Sequence, residues 1–218
     1  MTIFICGDST AASYTQDLAP MTGWGQVLPE FLPGIPVDNQ AMAGRSSKSF
    51  LYEGRLLPVE QRLQPGDLVL IQFAHNDENP RPWRHTDPWL GYGHCLSVYI
   101  QTARRYGAVP VLLTPICLRS FEQGVLQPSH QGYLEAVRTL AVHTGTPLID
   151  LYADSFARVA ALGEEASLPL FMHLQPGVWP GYPEGRVDDT HTTAEGARAN
   201  AAFVASELRR LGLLEGCL

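Results

Sequence analysis

A chain of 218 residues, 45% hydrophobic and 17% charged, can bury a sizeable core and reads as one domain over residues 1–218 that needs no disulfide or metal to fold. Its 22 acidic and 15 basic side chains give a net charge of −7, which disfavours nucleic acid and anionic membranes as partners, since both are bound by clustered Lys and Arg. No run of 18 apolar residues spans a membrane, and Cys6, Cys95, Cys117 and Cys217 form no CxxC pair of a zinc ribbon or disulfide framework. Reduced thiols, and a first stretch without the basic and apolar regions of a secretory signal, point to a cytoplasmic protein.

Short aliphatic runs bounded by Gly, Pro or Asp predict strands at residues 2–6, 37–42, 67–73, 109–114 and 147–151. Their nearly continuous apolar character is that of strands covered on both faces. Helical spacing appears at 25–31, 90–106, 130–142 and 193–211. The last carries Ala197, Ala201, Val204, Leu208 and Leu211 as an amphipathic stripe. Residues 78–88 and 167–187 read as irregular. Alternating strands and helices predict an α/β fold, a parallel sheet between two helical layers.

In such sheets ligands lie beyond the carboxyl ends of the strands. The first strand runs into Gly7-Asp8-Ser9-Thr10-Ala11-Ala12, a hydroxyl among small neighbours that let a carbonyl approach, although the same residues also suit an ordinary helix cap. Before the last helix, Asp188-Asp189-Thr190-His191-Thr192-Thr193 offers an imidazole base with a carboxylate one turn upstream. Asp188 is the expected orienting carboxylate and Asp189 the less favoured one. The plainer alternative is that Thr192 or Thr193 caps the helix and the acidic pair sits in its field. After the second and third strands come Gly44, with an unobstructed N–H, and Asn76, with a side-chain amide. With the N–H of Ser9 they make a candidate oxyanion site, although each alone is more often a turn residue.

The segments Gly7-Asp8-Ser9-Thr10, Ala43-Gly44-Arg45-Ser46, His75-Asn76-Asp77 and Asp188-Asp189-Thr190-His191 together resemble the four blocks of the SGNH (GDSL-type) hydrolases, from the first strand to the last helix. Gly23-Trp24-Gly25, Ser47, Ser49-Phe50, Glu53-Gly54-Arg55 and Thr190-His191-Thr192 narrow the resemblance to the rhamnogalacturonan acetylesterase branch. The resemblance implies a flavodoxin-like three-layer α/β/α fold, Ser9 as nucleophile and His191 as base oriented by Asp188. It also implies an oxyanion hole of Ser9, Gly44 and Asn76, and no cofactor. Three positions depart from the family pattern: Ala74 stands where Gly is usual, Thr193-Ala194 where Ser-Pro is frequent, and Lys48 where Arg is commoner.

The expected reaction is removal of O-acetyl groups from carbohydrate, foremost acetylated rhamnogalacturonan oligosaccharides. Other acylated sugars such as xylan fragments, or lysophospholipids and thioesters, are the alternatives within the same chemistry. A non-catalytic flavodoxin-like carbohydrate binder is the alternative outside it. Arg81, Trp83, Arg84 and Trp179 are the candidate substrate-binding residues, the aromatic faces suiting sugar rings and the guanidinium groups a uronate carboxylate. Trp89 and Tyr92 lie just beyond the first of these loops, and Tyr182 and Arg186 share the second with Trp179. The alternative is that Trp83 and Trp89 pack their loop onto the body and the arginines are merely solvated. Neither loop has the aliphatic run of an acyl tunnel.

Overall fold

The alternation of side chains along each central strand decides the architecture, described by a computed structural model over residues 1–214. In β1 (Ile3–Gly7), Ile3 and Ile5 enter one core while Phe4 and Cys6 enter another. The neighbouring strands split the same way, Leu68 and Leu70 from Val69 and Ile71, and Val111 and Leu113 from Leu112. Both faces are buried, so no polar alternation survives in the sequence.

The chain runs through β1, α1 (Trp24–Val27) with a 3-10 turn at Leu28–Phe31, β2 (Val37–Asn39), α2 (Ser47–Tyr52) and α3 (Leu57–Glu60). Then follow β3 (Leu68–Gln72), α4 (Gly93–Arg105), β4 (Val109–Leu113) and a small hairpin of β5 (Phe121–Glu122) and β6 (Val125–Leu126). The chain continues through α5 (Tyr133–Thr144), β7 (Leu148–Ile149), α6 (Leu151–Ala166) and α7 (Ala194–Arg210). The five sheet strands are parallel in the order β2-β1-β3-β4-β7, a flavodoxin-like order. Helices α1 and α7 cover one face and α2, α4 and α5 the other, so the expected three-layer α/β/α class is borne out. Among the described residues no helix is long and apolar enough to cross a membrane.

All five predicted strands and the four predicted helices are present, with shifted ends. Only residues 37–39 of the run 37–42 form a regular strand. The chain then leaves the sheet edge, although the N–H groups of Gln40 and Met42 still reach Ile5 O and Gly7 O at 3.0 and 2.9 Å. Helix α4 begins only after a wide turn at Pro88–Tyr92, capped by the Asp87 carboxylate on the N–H groups of Trp89 and Leu90. Helices α2, α3 and α6 and the hairpin were not foreseen in the sequence. Cys6, Cys95 and Cys117 are free and buried, and burial pushes the Cys6 and Cys117 thiols up to about 12 and about 11. Cys217 lies outside the described residues.

The Gly-Trp-Gly motif has a packing role. Trp24 is fully buried and its indole N–H donates to Gln72 Oε1 at 2.9 Å. The flanking glycines lie against the backbone that follows Ser9, and a Cβ on Gly23 would meet Ala12 O at 2.3 Å. Gly23→Ala should therefore push that loop away and destabilise the fold by about 2 kcal/mol. A thermal unfolding midpoint lowered by about 4–8 °C would bear this out, and an unchanged midpoint would contradict it.

Candidate active site

Ser9 lies in the turn that follows β1, between two residues that fix it. The Asp8 carboxylate accepts from the N–H and hydroxyl of Thr10 at 2.9 and 2.8 Å, a local turn that closes the loop. Burial raises the Asp8 carboxyl to about 6, against the lowering effect of those two bonds. The carbonyl of Ser9 accepts from Tyr14 Oη at 2.7 Å. Ser9 itself is buried.

The second half of the site arrives from far along the chain. Asp188 folds back as one turn, its Oδ1 accepting the N–H groups of Thr190 and His191 at 2.9 Å each and its Oδ2 meeting His191 Nδ1 at 2.9 Å. Arg186 adds a forked contact to Oδ2 through Nε, at 3.0 Å, and Nη2. Burial acts to raise the Asp188 carboxyl, but the bonds from His191 and Thr190 outweigh it and hold the group well below the usual carboxylate range. Asp189 is engaged elsewhere, by Arg119 Nη1 at 2.8 Å and His173 Nε2 at 2.7 Å. The two adjacent carboxylates thus have different partners, His191 for Asp188 and Arg119 with His173 for Asp189, and Thr193 also caps α7. Segment 22–24 joins the halves: Thr22 and Thr192 exchange hydrogen bonds, while the Trp24 N–H donates to Thr10 O at 3.0 Å. Ser9 and His191 make no mutual hydrogen bond among the described residues.

Gly44 and Asn76 sit in the loops after β2 and β3, which flank β1 in the sheet. Gly44 has φ +79°, a conformation that costs glycine little. Neither the Ser9 nor the Gly44 N–H meets a backbone acceptor among the described residues. Asn76 Nδ2 donates to Arg45 O at 3.2 Å and its Oδ1 accepts from Arg84 Nη1 at 2.9 Å, so one amide hydrogen is left over. Ala74, in the usual glycine position, has φ +143°, a region that favours glycine. The neighbouring Asp77 carboxylate accepts from the Ser47 N–H, the Ser47 hydroxyl at 2.5 Å and Thr86 Oγ1 at 3.0 Å. This ties the Gly44 loop to the Asn76 loop. Burial raises Asp77 to about 7 in spite of these bonds.

The candidate substrate residues are placed differently from one another. Arg81 and Trp83 are exposed on the loop beside Asn76. Trp83 forms one side of an open cleft with Tyr52, Lys48 and Glu53. Arg84 turns inward, onto Asn76 and over the Trp83 ring. Trp179 is half-buried at a second cleft with Tyr14, Gln16 and Arg198. Of the further residues, Trp89 is exposed and Tyr92 is fully buried with its hydroxyl on Phe73 O. Arg186 serves Asp188, and its guanidinium lies 5.5 Å from the Tyr182 ring. Sequence reasoning missed Tyr14 and the brace from Lys48 Nζ to Pro82 O and His85 O, at 2.6 and 2.9 Å. No residue pattern marks such contacts, because each partner is a backbone carbonyl, which every residue carries.

The pattern of the GDSL-like lipase/acylhydrolase family matches residues 5–199. The chain is 39% identical over 213 residues to rhamnogalacturonan acetylesterase RhgT of Bacillus subtilis (strain 168), covering 97% of this chain and 90% of that one. It is 38% identical, over 97% of this chain and 94% of the other, to the probable rhamnogalacturonan acetylesterase YesY of the same organism. Among solved structures it superposes on the Bacillus subtilis protein YxiM with a TM-score of 0.82 and 29% identity, covering 97% of this chain and 56% of that longer one. It shares the fold of Axe2, an acetylxylan esterase from Geobacillus stearothermophilus, with a TM-score of 0.64 at 16% identity, over 97% of this chain and 94% of that one.

Proposed function

The chain belongs to the GDSL-like lipase/acylhydrolase family and is a carboxylic ester hydrolase, and from that premise we propose that it removes O-acetyl groups from rhamnogalacturonan oligosaccharides with Ser9 as nucleophile, His191 as base and Asp188 as orienting carboxylate. The observation that carries the residue roles is the Asp188–His191 pair, tied through Thr192 and Thr22 to the segment on which the Ser9 loop rests. The substrate class is supported by the names of the two relatives at 39% and 38% identity, and by exposed Arg81 and Trp83, which suit a uronate carboxylate and a sugar face. Trp179 offers a further aromatic surface at the cleft it shares with Tyr14.

In this mechanism Ser9 Oγ attacks the acetyl carbon and its proton passes to His191 Nε2, while Asp188 holds the Nδ1–H tautomer and stabilises the imidazolium. The carbonyl oxygen becomes an oxyanion facing the N–H groups of Ser9 and Gly44 and the remaining amide hydrogen of Asn76. Collapse expels the sugar oxygen, which takes the proton from His191. Water, deprotonated in turn by His191, then attacks the acetyl-Ser9 ester and releases acetate. Asn76→Ala should lower kcat on the order of 100-fold or more, and a rate within a few-fold of wild type would remove Asn76 from this role.

Acetate release from acetylated rhamnogalacturonan oligosaccharides, beside acetylated xylan fragments and long-chain esters, tests the whole reading. Preference for the pectic substrate, lost in Ser9→Ala, is the expected result. Preference for xylan would keep the chemistry and overturn the substrate, and preference for long acyl chains would overturn both carbohydrate readings. Action inside the cell on imported oligosaccharides completes the proposal, and recovery from the medium above a cytosolic marker would overturn that part.

A further inference from the structure

Arg84 is the one candidate substrate residue whose side chain is bonded to a candidate oxyanion donor. Its Nη1 donates to Asn76 Oδ1 at 2.9 Å, its Cζ lies 4.2 Å from the centre of the Trp83 ring, and its Nη2 would be 3.1 Å from a Cβ on Gly44. No carboxylate pairs with it among the described residues, and its Nε is shielded from solvent without a hydrogen-bond partner. Burial and the nearby Arg81 and Arg45 lower its pKa, the direction expected of a cation that lacks a counter-charge. The loop is built to hold it there. Lys48 clamps Pro82 O and His85 O, the Thr86 N–H donates to Asp77 O at 3.1 Å, and Tyr133 Oη donates to Thr86 O at 2.5 Å.

We propose that Arg84 is a positioning residue of the hydrolytic reaction: its guanidinium fixes the oxygen end of the Asn76 amide so that the remaining Asn76 N–H faces the reacting carbonyl. An unrestrained Asn amide has two orientations that differ by exchange of nitrogen and oxygen. With the cation at one end and Arg45 O accepting at the other, only one orientation places a donor towards the cleft. A charge-assisted bond to Oδ1 also polarises the amide, and the unpaired charge beside Gly44 favours the oxyanion over the neutral ester. The loop thereby divides its two arginines, Arg81 for solvent and substrate, Arg84 for the donor set. This inference rests on the oxyanion role given above to Asn76.

The test is a double-mutant cycle on Arg84 and Asn76, with Arg84→Lys as the conservative variant, followed on acetylated rhamnogalacturonan oligosaccharides and on p-nitrophenyl acetate, which has neither sugar nor carboxylate. Arg84→Met should lower kcat about 10- to 50-fold on both substrates with KM within about threefold, and Arg84→Lys should restore part of the loss. In the Asn76→Ala background the same Arg84→Met change should cost less than about threefold. A loss confined to KM for the uronate-bearing substrate would make Arg84 a substrate-carboxylate ligand and overturn the proposal. Full multiplication of the two losses would overturn it as well. An Asn76→Ala enzyme near wild-type rate would instead remove the oxyanion reading itself, whatever Arg84→Met does. Unfolding midpoints of all variants separate these outcomes from misfolding, and Arg84→Lys carries the test if Arg84→Met does not fold.

Discussion

Replacing Ser9 with Ala should lower kcat for acetyl release by about 10⁵-fold while leaving the fold intact. The hydroxyl supplies the only covalent chemistry in the proposed mechanism, and the remaining donors and the imidazole can assist only direct attack by water. The main chain at residue 9 is retained in the variant, so the Tyr14 hydroxyl still finds its carbonyl acceptor. Mass spectrometry gives an independent reading: an organophosphate should add once to the wild-type protein and not to Ser9→Ala. A variant that keeps more than about one hundredth of the wild-type rate would place the nucleophile elsewhere.

The second large effect belongs to Asp188→Asn, for which a loss of about 10⁴-fold in kcat is expected. The present carboxylate accepts on both oxygens, from two backbone N–H groups on Oδ1 and from His191 and Arg186 on Oδ2. An amide cannot satisfy this arrangement in either orientation. With its nitrogen towards His191 it faces Arg186 as donor against donor and forces the imidazole proton onto Nε2, where it blocks uptake from Ser9. With its nitrogen towards Thr190 and His191 it opposes their N–H groups.

Stability should respond with a definite sign. The folded-state pKa of Asp188 is depressed, so its contribution is fully present above the ordinary carboxylate value of about 4 and is lost as pH falls through the folded value. In urea titrations wild type should therefore exceed Asp188→Asn near neutrality, and the gap should narrow below about pH 4. A gap constant with pH would show that the carboxylate's bonds to His191 and Thr190 do not stabilise the native state.

The fold was legible in the sequence wherever burial on both faces leaves an unbroken apolar run, as in residues 67–73 and 109–114, and wherever one face is apolar at helical spacing, as in α7. Legibility failed where tertiary partners define the element. Helix α6 follows two-residue β7 with only Asp150 between them, and Asp150 caps it from the end of a run read as strand. Helix α2 is six residues long, held by the reciprocal Ser46–Ser49 cap and by Asp77 on Ser47. The candidate site divides likewise. The residues proposed to carry its chemistry, Ser9, Gly44, Asn76, Asp188 and His191, are visible because each sits at a strand end or before a helix. The side chains bonded to them, Tyr14, Arg84 and Arg186, have partners that only folding selects. Ala74 shows the same limit from the other side: the substitution is visible in the sequence, but the φ of +143° that makes glycine usual there is not.

The long reach of chain between the two halves of the site also sets an order of events during synthesis. Ser9, Gly44 and Asn76 are all made within the first 76 residues, and Asp188 and His191 follow more than a hundred residues later. At ribosomal rates of 5–20 residues per second the nascent chain carries its hydroxyl and amide donors for on the order of 10 s before any imidazole can reach them. Over that interval the face of β1 bearing Ile3 and Ile5 also lacks Ala197, Ala201 and Val204 of α7, which complete its core. Docking of the last helix therefore completes the cover of that apolar face and, through Thr192 and Thr22, brings the Asp188–His191 pair to the segment beside the Ser9 loop in the same event.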